Sequence, residues 1–348
     1  MRTSRAAMVA GAAAGVGLAG GVAAVAANLR RWRRRPDPAA DDDFREPPGT
    51  VHHVFASHDG GEIHVVERGV GRAFLLLHGV TNSTLVWHYQ LLDLVAAGYR
   101  VVAMDIRGHG KSEAGDDGFS LAGMAEDVFT ATKALDLHDA VAVGHSMGAM
   151  VLLQVLADHP DLVADGTLSS IALVATSASP VLGNGVPAAA AEMLRLLTPA
   201  AGRGHMRMVG GRLRPGESTG DLATLYCRLA FGSHPSPTHV ELLRSMASAM
   251  PAPILGELLE TLLELDIRQV LPALAAPALV VVGTRDLLTP PWHSRYLARH
   301  IPVAELHLLP GCGHMVMLER RQELARLLLD FAARSTPVAC QPVPAGQL

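Results

Sequence analysis

The sequence predicts an α/β fold built on a mostly parallel sheet with helices on both faces. Three observations carry this prediction. After about residue 51, short β-rich runs alternate with amphipathic helical patterns. The later runs, AFLLLH, VAVGH, SSIALVA and ALVVVG, are continuous apolar blocks with no polar alternation, the pattern of strands buried on both faces. The alternation breaks only once, between about Ser179 and Leu271, and roughly ninety residues are too many for a plain loop in a compact domain.

Composition excludes several other classes first. The chain has 348 residues, 49% of them hydrophobic and 18% charged, with a formal charge of −4. It is neither a disordered polar chain nor a coiled coil, and it lacks the basic footprint of a nucleic-acid binder. Of its 29 basic residues only Lys111 and Lys133 are lysine. The three cysteines, Cys227, Cys312 and Cys340, are too few and too widely spaced for a disulfide framework or a metal knuckle.

In chain order, residues 6–29 are 24 consecutive uncharged residues, long enough for one membrane-spanning helix. Arg2 and Arg5 precede them, and Arg30, Arg31, Arg33, Arg34 and Arg35 follow. The heavier positive flank places the remainder of the chain in the cytoplasm. The competing reading is a secretory signal cut near Ala24-Val25-Ala26, which would export the chain. Residues 1–35 therefore form a hydrophobic segment with a basic flank. Residues 36–50, rich in Pro and Asp, have the composition of an unstructured linker that packs against nothing.

The strands predicted next are 51–57, 62–67, 73–78, 100–105, 140–144, 169–175, 278–283 and 305–309. Asp59-Gly60-Gly61 joins the first two as a hairpin turn. Helices are predicted over 85–97, 121–136, 147–158, 292–300 and 318–333. The core thus comprises 51–178 and 272–334, followed by a tail over 335–348. Residues 179–271 hold amphipathic pieces such as HVELLRSMASAM and ILGELLETLLEL, separated by Pro and Gly. They are read as an inserted helical lid, the alternative being extra core helices with no gating role.

Chemistry concentrates where predicted strands end. Gly144-His145-Ser146-Met147-Gly148 fits G-x-S-x-G between a buried strand and a helix, the context a nucleophile elbow requires. A serine nucleophile needs a base and an orienting acid, and the order Ser–acid–His directs the search downstream. The run ALVVVG ends in Thr284-Arg285-Asp286, and AELHLLPG leads into Gly311-Cys312-Gly313-His314. Three strand carboxyl ends thereby deliver Ser146, Asp286 and His314 to the edge of the sheet where ligands bind. At His78-Gly79-Val80 the glycine lets the chain turn, so that the Val80 N–H joins that of Met147 as an oxyanion hole. His78 is read as a hydrogen-bonding residue of that loop in preference to a catalytic one. Gly79, Trp87 and His145 are the expected substrate-binding positions, with Trp87 and residues 81–85 either lining the pocket or packing the first helix. No metal or organic cofactor has a motif.

These motifs resemble the α/β-hydrolase fold superfamily over roughly residues 51–334. The resemblance rests on HGV at 78–80, DIRGHGKS at 105–112, GHSMG at 144–148, GTRDLLTP at 283–290 and GCGH at 311–314. It implies an eight-stranded, mostly parallel sheet with a lid after the sixth strand. The chain looks most like the lidded bacterial esterase and lipase branch. It departs from the epoxide hydrolase and haloalkane dehalogenase branches, which carry Asp where this chain has Ser146. The implied activity is hydrolysis of small lipophilic carboxylic esters through an acyl-enzyme, without a cofactor. Perhydrolase (haloperoxidase-like) or carbon–carbon hydrolase chemistry on the same triad, and a ligand receptor with slow turnover, are the alternatives.

Overall fold

A computed structural model describes residues 31–180, 223–224 and 227–335. The apolar stretch at 6–29, the first half of the predicted lid and the tail after 335 lie outside the described residues. Among the described residues, no helix is long and apolar enough to cross a membrane.

Eight strands form one sheet in the order β1-β2-β4-β3-β5-β6-β7-β8. They are β1 (Val51–Ala56), β2 (Glu62–Arg68), β3 (Ala73–Leu77), β4 (Arg100–Met104), β5 (Ala140–His145), β6 (Leu168–Val174), β7 (Ala278–Gly283) and β8 (Ala304–Leu309). The β1/β2 and β2/β4 pairs are antiparallel and every other pair is parallel. The fold class predicted from the apolar blocks is the one observed, and strand bounds agree to within about two residues.

The sheet is covered on both faces because alternate residues of each central strand point opposite ways. On β3, Leu75 and Leu77 join one apolar cluster, with Met124 and Val128 of α2 (Leu121–Ala134) and Met150 and Leu153 of α3 (Met147–Asp158). Phe74 and Leu76 join the other, with Leu91 and Leu94 of α1 (His88–Ala96) and Leu324 and Leu328 of α7 (Arg321–Arg334). Helix α2 starts where the Ser120 hydroxyl accepts the Gly123 N–H at 3.1 Å, satisfying a donor with no partner inside the helix. Between β6 and β7 the described part of the insertion contains α4 (Pro237–Ala249) and α5 (Ala252–Glu264). Helix α6 (Pro291–His300) joins β7 to β8.

Two expectations change. The helix predicted over 318–333 is interrupted: a single turn, Val316–Glu319, ends at Arg320 (φ −133°, ψ 43°) before α7 begins. The Glu319 side chain is turned back towards the loop that carries His314, as described below. The second change concerns the charged stretch before residue 50, which is docked. Trp32 is buried and its indole N–H donates to the Pro235 carbonyl at 3.1 Å. Asp37 accepts the Thr238 N–H at 2.8 Å, while Tyr89 bonds both Asp42 and His239. Phe44 packs against His88, Tyr89 and His239 with ring centroids 5.3–5.8 Å apart. Average composition conceals two aromatic anchors, the buried Trp32, contributing about 1.5–3 kcal/mol, and the half-buried Phe44, contributing less, and their partners lie on the insertion and on α1.

This docking overturns the reading of residues 36–50 as a linker that packs against nothing. Removing residues 31–49 uncovers the start of α4 and the buried Tyr89. A chain starting at Thr50 is expected to melt roughly 5 °C or more below one starting at Arg30, read by thermal denaturation under matched conditions. Equal melting temperatures would show that the docked segment stabilises nothing.

Candidate active site

Ser146 stands between β5 and α3 with φ 51° and ψ −117°, a conformation costing of order 1–3 kcal/mol for a non-glycine residue. Its surroundings hold it there. The Ser146 N–H donates to Val174 O at 2.9 Å, and the Thr176 hydroxyl donates to Ser146 O at 2.8 Å. The flanking glycines are required by space: a Cβ on Gly144 would lie 2.3 Å from Ala149 Cα, and one on Gly148 would lie 2.4 Å from Leu77 O. No such contact is tolerated without moving backbone, so G-x-S-x-G here reflects close packing of β3, β5 and α3.

Asp286 follows β7 and is buried. Its Oδ1 accepts the Leu288 and Thr289 N–H groups at 2.8 and 2.9 Å, and its Oδ2 accepts the Thr289 hydroxyl at 2.8 Å. Oδ2 also meets His314 Nδ1 at 2.9 Å. An ionised carboxylate fits this set of donors, and the contact fixes the proton of neutral His314 on Nδ1. His314 itself sits after β8, in a loop docked on the insertion: the His314 N–H donates to Ala230 O at 2.7 Å and the Ser233 N–H to Gly311 O at 3.0 Å.

Ser146 and His314 line one cavity of about 290 Å³. Its wall is mostly apolar, with Met150, Leu243, Leu255, Leu259, Leu262 and Leu288. Helices α4 and α5 supply four of these, so the insertion forms one side of the pocket. Arg244 is the cation in the wall, and its guanidinium is held by Glu241 at 2.8 Å.

The other predicted positions separate. Val80 lines the cavity; Met147 opens α3 and is buried. Among the described residues neither backbone N–H donates to a protein acceptor, which leaves both free for a ligand oxygen. His145 lines the cavity and donates from Nε2 to His314 O at 3.1 Å. Burial, reinforced by the neighbouring His314, holds its pKa well below the usual imidazole value, so it is neutral. Gly79 and Trp87 do not line the cavity. Trp87 is fully buried in the second apolar cluster and meets the edge of His145 at 6.5 Å between centroids. It packs the first helix, because the chain turns inward at the short helical turn Thr84–Trp87. Gly79 lies against His145 and Ser146, where a Cβ would come within 2.9 Å of His145 Nδ1.

His78 is fully buried, donates from Nδ1 to Gly79 O at 2.8 Å and accepts the Ile106 N–H on Nε2 at 3.1 Å. Both ring nitrogens are committed to the loop, and burial lowers its pKa. Asp105 accepts the Thr84 and Lys111 N–H groups at 2.8 and 3.0 Å, so DIRGHGKS braces the loop after β3. Burial pushes the Cys312 thiol up, away from nucleophilic use.

One residue escaped the sequence reading. Glu319 accepts the Gly313 N–H on Oε1 and the Gly232 N–H on Oε2, each at 2.8 Å. It therefore joins the loop carrying His314 to the insertion. The available signal was an acid ending the apolar run MVML five residues after His314, which reads equally well as a residue of the following helix.

A family model described as "Alpha/beta hydrolase family" matches residues 74–327. The chain is 32% identical over 280 residues to "Putative carbamate hydrolase RutD" of Variovorax paradoxus (strain S110), covering 79% of this chain and 96% of that protein. The fold is similar to an esterase from Exiguobacterium antarcticum, with TM-score 0.70 and 20% identity, and to a bromoperoxidase from Bacillus anthracis, with TM-score 0.69 and 18% identity. Each of these alignments covers 81% of this chain and all of the other.

Proposed function

The chain belongs to the alpha/beta hydrolase family, and from that premise we propose that it hydrolyses small lipophilic carboxylic esters through an acyl-enzyme on Ser146. The observation that carries this reading is the Asp286–His314 contact of 2.9 Å at the wall of the mostly apolar cavity that also holds the strained Ser146. His314, with its proton held on Nδ1 by Asp286, takes the Ser146 proton as the hydroxyl attacks a carbonyl. The Val80 and Met147 N–H groups receive the oxyanion, an effect worth roughly 3–4 kcal/mol per donor in other serine hydrolases. His314 then returns its proton to the leaving alcohol and activates water to release the acid. The leucine-rich wall from α4 and α5 accepts the apolar part of the substrate.

Labelling with a fluorophosphonate probe, followed by turnover of methyl and 4-nitrophenyl esters, tests the proposal. Stoichiometric labelling at Ser146 with many turnovers per minute is the expected result. A single slow turnover with retained product would indicate a receptor instead. A carbamate belongs in the same panel, since the relative from Variovorax paradoxus is named for that substrate class, and a carbamate also offers a carbonyl to a serine nucleophile.

A further inference from the structure

The loop after β3 holds a polar side chain that the reaction above does not use. Asn82 is 5% exposed and lines the cavity that contains Ser146. Its Oδ1 has no hydrogen-bond partner, and among the described residues no side-chain bond of any kind is made by its carboxamide. Buried carboxamides are ordinarily paired, because an unmet group forfeits its hydration for nothing in return. An unpaired one on the wall of a ligand cavity is the mark of a group that pairs with the ligand.

Its backbone is well fixed. The Asn82 N–H donates to Gly79 O at 3.2 Å and closes a four-residue turn around Val80. Thr81, at φ 63°, donates its N–H to His109 Nε2 at 3.2 Å, and His109 Nδ1 donates to Arg107 O at 3.1 Å. Asn82 thus rides on the same rigid turn as the Val80 N–H, two residues from the proposed oxyanion donor. Beside that turn, His145 Nδ1 is also buried and unpartnered. Its tautomer is set by the Nε2 bond to His314 O, so Nδ1 is an acceptor. Around Gly79 and Val80 there are therefore two unpaired side-chain acceptors beside the free Val80 N–H.

We infer that Asn82 is a specificity-determining residue, and that the preferred substrates carry a hydroxyl or N–H donor within a few bonds of the scissile carbonyl, beside an apolar chain. Leu255, Leu259 and Leu262 take the chain; Asn82 receives the donor hydrogen, and its amide nitrogen can donate back to the same group. This inference rests on the ester-hydrolase reading for the reaction, while the recognition itself does not depend on turnover.

The test compares methyl hexanoate with methyl 3-hydroxyhexanoate on the full chain. Wild type is expected to favour the hydroxy ester at least tenfold in kcat/KM. In Asn82→Leu that ratio is expected to fall to within about twofold of unity, with a melting temperature equal to or above wild type, since no protein hydrogen bond is lost. A wild-type ratio near one overturns the inference. So does a preference that survives in Asn82→Leu, or a variant that melts lower and loses both activities together, which is the signature of a structural role. Dissociation constants for the same two esters, measured in Ser146→Ala and in Ser146→Ala with Asn82→Leu, read recognition without chemistry. A hydroxyl preference in binding, with neither ester hydrolysed by wild type, would overturn the ester reading and uphold Asn82. Hydrolysis of both esters with no preference in rate or binding would do the reverse.

Discussion

Ser146→Ala is expected to lower ester turnover by about 10⁴–10⁶ while leaving the melting temperature within about 2 °C of wild type. The chemical half of this expectation follows from the proposed nucleophile, since alanine offers no hydroxyl for His314 to deprotonate. The structural half follows from what the side chain touches. Among the described residues the Ser146 hydroxyl makes no hydrogen bond, whereas its main-chain N–H and carbonyl are fixed by Val174, Thr176 and the first turn of α3. Alanine keeps the Cβ, so it keeps the strain of φ 51° and ψ −117°. Ser146→Gly removes that Cβ and is expected to be as inactive as alanine but more stable by roughly 1 kcal/mol. The pair separates strain from chemistry: calorimetry reads the first and the ester assay the second. Activity above about a hundredth of wild type in either variant would remove Ser146 from the role of nucleophile.

The ease of reading this chain varied with the range of the interactions involved. Strands β3, β5, β6 and β7 were legible because burial on both faces forces unbroken apolar runs, and the helices between them were legible by period. Ser146, Asp286 and His314 stood out for the same reason, each following a run whose end is marked in the sequence. The structure brings Asp286 and His314 into contact and sets His314 and Ser146 on one cavity. Interactions between distant segments left no such local trace. Asp37 meets Thr238 across 201 positions, and Trp32 just before it meets Pro235 across 203, so a charged, proline-rich stretch read as a free linker. Glu319 acts through the backbone of Gly232 and Gly313, for which neither glycine supplies a side-chain signature. Trp87 was placed near the right loop, but which way its indole turns depends on the packing of α1 and α7 against the sheet. Asn82 is legible only as an accounting of hydrogen bonds, which needs coordinates.

Asp286→Asn is expected to lower kcat by about 10⁴ with a modest loss of stability, and the hydrogen bonds around the carboxylate give the reason. Oδ1 accepts two backbone N–H groups, from Leu288 and Thr289, while Oδ2 accepts the Thr289 hydroxyl and faces His314 Nδ1. An asparagine must keep its oxygen on the two backbone donors, because turning the amide would set N–H against N–H twice. Its NH₂ then faces His314 and can only donate. His314 is driven to carry its proton on Nε2, the nitrogen required as a base, and the proposed proton transfer from Ser146 loses its acceptor. The Thr289 hydroxyl can rotate to another acceptor, which limits the structural cost to about 1–2 kcal/mol. Asp266, which pairs with Arg268 on an exposed turn, supplies the control: Asp266→Asn is expected to change kcat by less than twofold. Steady-state kinetics of both variants, with imidazole nitrogen shifts of His314 by NMR to report the tautomer, provides the check. Full activity in Asp286→Asn, or an Nδ1–H tautomer retained in it, would remove Asp286 from the orienting role.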